Sequence, residues 1–278
     1  MKQKRPHGIL LLLLGLVLAA LHIADLLLWT DLSTGFATAG SVWVRYLVWL
    51  AALFLPYLPA RWAAPQPASL RDSNLPLGVC MVVAGLLFAA TGALTLPTAW
   101  YVTQYPFLFE SYPLFAAWAD AILPLLAGAW LVVYGVRALT GFGLARERLG
   151  SPVIAVILPL CMLWRLVWRF QFVPASLERM PCTLRVDSAV AALLFAVVLL
   201  KVFLVPGFAC GHTLYAAGSG CFLLCTCLEL TQTLLEAAGG MLAIPDLLAG
   251  LGIGVFGLCG LVCAWSACGA DTTELEQE

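Results

Sequence analysis

Long apolar runs recur along the whole chain, separated by short connections marked by proline, glycine or charge. Eight such runs fall near 8–29, 41–58, 76–97, 114–136, 151–173, 187–206, 212–237 and 247–268. A hydrocarbon core about 30 Å thick takes roughly 20 helical residues to cross, and the runs are close to that length. Lipid satisfies no backbone N–H or C=O, so a crossing segment is either a helix or a strand of a closed barrel. The runs lack the period-2 alternation of barrel strands. The pattern therefore predicts an all-α, polytopic transmembrane helix bundle of about eight spans, a single transmembrane domain over 1–278 with no soluble domain.

The breaks between runs carry helix-stopping chemistry. Pro59, Pro65, Pro67 and Pro76 bracket a polar connection that holds Arg61, Arg71, Asp72 and the chain's only asparagine, Asn74. Gly239, Gly240 and Pro245 separate the last two runs. That break is the least polar, and a re-entrant dip over 241–244 is the alternative to a plain turn.

Lys and Arg in short loops set orientation. Lys2, Lys4 and Arg5 precede the first run, Arg61 and Arg71 follow the second, and Arg137, Arg146 and Arg148 follow the fourth. Connections 30–40 and 98–113 carry no Lys or Arg. Both termini are expected in the cytoplasm. Arg179 and Arg185, in the connection 174–186 on the expected outer side, run against the pattern. The first run, although basic at its start, is longer than a signal-peptide core and is read as an uncleaved span. Trp29, Trp43, Trp100, Tyr101, Tyr105, Tyr112 and Trp118 fit an outer interfacial belt.

Composition narrows the class further. Of 278 residues, 63% are hydrophobic and 10% charged, against about a quarter charged in a soluble domain. Mean hydropathy is +0.99. Lipid is the expected surrounding, and the net charge of −1 argues against nucleic acid as a partner.

Given that topology, the ionisable residues inside the runs collect in one outer layer. His22 and Asp25 lie one turn apart in the first span, Arg45 just inside the second, and Asp120 in the outer third of the fourth. Arg165 and Arg169 share a face of the fifth. Glu229, Gln232, Thr233 and Glu236 form one stripe on the seventh. A charge at mid-bilayer costs about 2.5–3.5 kcal/mol on insertion scales, so Asp25, Asp120 and Glu229 most need partners. Arg165 and Arg169 are the natural ones, with Arg45 third. Two readings stay open: ion pairs that fix how the helices assemble, or an outward pocket for a small polar solute, with His22, Asp25, Arg45, Asp120, Arg165, Arg169, Glu229, Gln232 and Glu236 as its lining. His22 and Asp25 also suggest a proton relay.

Ten cysteines are present without a C-x-x-C spacing. Small-residue packing explains them better than a metal centre, and no cofactor is expected. Gly250 and Gly254 form a G-x-x-x-G, a face for close helix contact within the bundle, with a second copy, or with a membrane partner. No P-loop, G-x-G-x-x-G, G-x-S-x-G or H-E-x-x-H occurs. An enzyme is therefore the least favoured class. A small-solute transporter or solute-binding membrane subunit leads, and a non-catalytic scaffold or sensor subunit is the alternative.

The stretch from Asp31 through Ser33, Thr34 and Gly35 to Phe36, followed by Arg45 and Tyr46, resembles a pattern in uncharacterised multi-span proteins of anaerobic Gram-positive bacteria. The resemblance covers about the first 50 residues. It implies a bacterial cytoplasmic membrane and brings no activity with it. Physically the stretch reads as a turn, with Asp31 and Ser33 capping backbone groups and Gly35 taking positive φ.

Overall fold

The computed structural model describes residues 8–63, 73–105, 107, 113–141, 151–171, 176, 178–205 and 210–268. Lys2, Lys4, Arg5, Pro65, Pro67, Arg71, Asp72, Tyr112, Arg146 and Arg148, which entered the sequence reading, lie outside these residues. Among the described residues eight helices are long and apolar enough to cross a membrane. They are α1 (Gly8–Leu28), α2 (Val42–Ala60), α3 (Leu75–Gln104), α4 (Leu114–Thr140), α5 (Pro152–Gln171), α6 (Met180–Leu204), α7 (Gly211–Ala238) and α8 (Ile244–Cys268). No strand occurs among the described residues; the backbone pairs only at two isolated bridges, Thr30 with Ala37 and Phe36 with Arg179.

Apolar side chains stand outward around the perimeter, among them Ile9, Val44, Leu86, Phe115, Val153 and Phe170. A water-soluble surface does not tolerate so wide an apolar belt, whereas lipid favours it. The chain is a multi-pass membrane protein.

Local chemistry sets the helix ends. Asn74 caps α3, its side-chain oxygen accepting from the Leu77 N–H at 3.0 Å. Pro181 sits in the first turn of α6, where its missing N–H costs nothing. Between α7 and α8 the chain makes a short turn, with Gly240 at φ 68°, rather than a re-entrant dip.

α7 is the most enclosed helix and packs against α1, α2, α6 and α8. Small residues allow that enclosure. A Cβ on Gly260 of α8 would lie 2.5 Å from the Gly218 carbonyl oxygen of α7, so the two backbones are in contact. α3 and α4 pair the same way, Gly78, Gly85 and Gly92 facing Gly135, Gly128 and Ala121.

One expectation changes here, and one alternative closes. The sixth span begins at Met180, not near 187, so Arg185 is helical and only Arg179 precedes the helix. The Gly250/Gly254 face is filled from within the chain: Cβ atoms there would meet Thr233 at 2.6 Å and Leu230 at 2.7 Å, both on α7. That face is not available to a second copy or a membrane partner.

Candidate functional site

Ionisable side chains of α1, α2 and α4 to α8 meet, but as two separate groups. The first joins α1 to α2. Arg45 Nε contacts Asp25 Oδ1 at 3.1 Å. The remaining guanidinium donors reach Thr30 Oγ1, the Trp29 and Ala39 carbonyls and the Met180 sulfur. Arg45 is thereby saturated and clasps the α1–α2 connection to the start of α6. The turn in that connection forms as read. Asp31 accepts from the Ser33 N–H at 3.0 Å and from the Ser33 and Thr34 hydroxyls at 2.8 Å each, and Gly35 has φ 76°. These donors hold the exposed Asp31 carboxyl below the usual carboxylate range. Arg179 donates to the Thr34 carbonyl at 3.1 Å, which fastens the turn onto α6.

His22 does not join this group. It is buried, its ring lies edge-on to Trp49 at 6.3 Å, and its Nε2 has no hydrogen-bond partner. Asp25 is engaged by Arg45 instead. The proposed His22–Asp25 relay is thus not assembled; tertiary packing turns the imidazole toward α2.

The second group gathers residues from α4 through α8. Arg165 Nη1 contacts Asp120 Oδ1 at 3.2 Å, linking α5 to α4. Arg169 forms a two-pronged pair with Glu229 of α7, Nη1 to Oε2 at 3.1 Å and Nη2 to Oε1. The Ser188 hydroxyl donates to the same carboxylate, and the Arg185 carbonyl accepts from Arg169. Glu229 is wholly buried, with 0% exposure, so every lone pair it directs at these donors is a requirement and not an ornament. About two turns further along α7, Glu236 pairs with Arg185 and accepts from Gln232 Nε2 at 2.7 Å. Gln232 Nε2 also reaches the Pro181 carbonyl at 3.2 Å, while its Oε1 has no partner.

The α7 backbone around Glu229 is unusual. Phe222–Leu230 is a π-helix between two α-helical segments. Wider turns of this kind recur at functional sites because they shift the side chains that follow. Here the shift spans the segment that delivers Glu229 to the centre of the bundle.

Between α5, α6, α7 and α8 lies a cleft of about 50 Å³, lined by Arg165, Arg169, Arg185, Glu229, Thr233 and Asp246 among others. Of the nine residues singled out from sequence, three line this cleft, and Asp120, Gln232 and Glu236 sit directly behind it. Asp25 and Arg45 belong to the clasp, and His22 to neither group.

Sequence reasoning missed Arg185, Ser188 and Asp246. Arg185 was placed in a loop, although Pro181 just ahead of it is a helix-start signal. Asp246 follows Pro245 at the opening of α8, the first-turn position where acids are favoured. Ser188 had no signal. Among the described residues no group of three or more His, Cys, Asp or Glu is placed to hold a metal ion.

Neither the family models, the curated proteins nor the solved structures contain a match to this chain, so its work has to be read from this geometry.

Proposed function

We propose that this protein binds, and carries across the membrane, a small polar solute, and that the cleft beside Glu229 is its binding site. In this reading the charged end faces the cell exterior and the membrane is a bacterial cytoplasmic one. The observation that carries the reading is the convergence of three guanidiniums and two carboxylates, from four helices, on one cleft in a largely apolar bundle. Ionisable groups inside a bilayer are costly, and they characteristically mark solute or ion pathways. Two further features support it. Glu229 is delivered by the most enclosed helix through a π-helical segment. The cleft is also polar in a region where packing alone would be served by leucine.

Charges used only for assembly would leave no cleft between them. The α4–α8 group does not meet that description. The scaffold alternative drew on the Gly250/Gly254 face, which is occupied by α7.

The test is uptake of a panel of radiolabelled small polar solutes by proteoliposomes containing the purified protein. Asp120→Asn and Glu229→Gln abolish uptake, whereas Asp25→Asn, which lies in the clasp, retains it per folded molecule. Uptake of no solute in the panel, or equal uptake by all three variants, refutes the proposal.

A further inference from the structure

We propose that the cleft takes a small zwitterion of glycine size, its carboxylate held at Arg165 and its ammonium at Asp246; this rests on the solute-site reading above. The charges of the site balance in pairs: Arg165 with Asp120, Arg169 with Glu229 and Arg185 with Glu236. Asp246 remains. It is exposed, in the first turn of α8, where the helix amino end supplies about half a positive charge. The site as a whole thus has little net charge with which to favour a simple anion or a simple cation.

Locally the balance is uneven. Arg169 is engaged through both Nη atoms by Glu229, Ser188 and the Arg185 carbonyl. Arg165 touches one oxygen of Asp120, and its buried Nε has no partner, although a guanidinium carries five N–H donors. Asp246 makes no hydrogen bond or ion pair with any described residue. Spare donors and a spare acceptor therefore line the same cleft. An anion at Arg165 is repelled by Asp246, and a cation at Asp246 by Arg165. A molecule with both charges satisfies both walls. The volume of about 50 Å³ limits it to a few heavy atoms.

Calorimetry on the purified full-length chain in lipid nanodiscs tests this, with glycine, acetate and methylamine as probes. Glycine binds, and acetate and methylamine bind at least about tenfold more weakly, the effect of leaving one polar partner unmet. Asp246→Asn, at an exposed position that does not threaten folding, weakens glycine binding at least about tenfold. Arg165→Gln does the same. Acetate or methylamine binding as tightly as glycine overturns the zwitterion assignment while leaving a solute site in place. So does glycine binding that Asp246→Asn leaves unchanged. Glycine failing to bind while the uptake panel yields another substrate also overturns it, and failure of both experiments removes the solute site as well.

Discussion

Glu229→Gln isolates the physics of the α5–α7 pair. The substitution keeps the volume and removes one charge. Glu229 is wholly buried and receives Arg169 through both oxygens, with Ser188 as a third donor. A neutral amide offers one acceptor in place of two, and Arg169, itself buried, keeps its charge with the Arg185 carbonyl and the Ser188 hydroxyl as its remaining partners. Breaking a buried pair by removing one partner costs about 3–5 kcal/mol. The insertion cost of a lone charge at mid-bilayer, about 2.5–3.5 kcal/mol, gives a similar figure. Taking about 3 kcal/mol, the folding equilibrium falls about a hundredfold, at about 1.4 kcal/mol per decade. The assay is reversible unfolding in mixed micelles of rising SDS content, followed by circular dichroism. Arg169→Gln alone, which strands the carboxylate, is expected to cost as much. The double variant removes both charges and recovers to within about 1 kcal/mol of wild type, giving a coupling energy of several kcal/mol where independent sites show almost none. A Glu229→Gln protein as stable as wild type within about 0.5 kcal/mol, or losses that simply add in the double variant, would refute the reasoning.

Other outcomes follow from the same structure. Gly260→Leu places a side chain where the Gly218 carbonyl oxygen now lies 2.5 Å from a Cβ position. Overpacking of this kind costs about 1–3 kcal/mol, read as a lowered thermal unfolding midpoint, whereas Gly240→Ala, strained by its φ of 68° but open in space, has a smaller effect. Asp31 is held below the usual carboxylate range by the Ser33 and Thr34 hydroxyls. Its folded value is depressed, so the turn keeps its support above the ordinary carboxylate pKa of about 3.9 and loses it as pH falls through the folded value. Hydrogen exchange at the Ser33 amide should quicken in that acid window, and in Asp31→Ala it should be fast at all pH; exchange indifferent to both would contradict the assignment. His22→Phe, which removes an unpartnered buried nitrogen beside Trp49, should leave uptake by the reconstituted protein intact, whereas a proton relay through His22 requires its loss.

The all-helical, eight-span character of this chain was legible in its sequence because the bilayer imposes a one-dimensional rule: about 20 apolar residues per crossing, with every backbone group satisfied within the segment. The Asp31–Gly35 turn was legible for the same local reason, since its hydrogen bonds close within three residues. Which charges meet was not legible. Arg45 was an equal candidate for any acid in the layer, and only the rotation of α1 against α2 assigns it to Asp25 and turns His22 to Trp49. Arg185 looked like a loop cation until α6 was seen to begin at Met180, and Asp246 entered the site only because α8 packs against α7 and α6. Helix length is written in hydropathy. Helix rotation and register depend instead on contacts such as Gly218 against Gly260, made between residues far apart in the chain, and those contacts decide which side chains share the cleft.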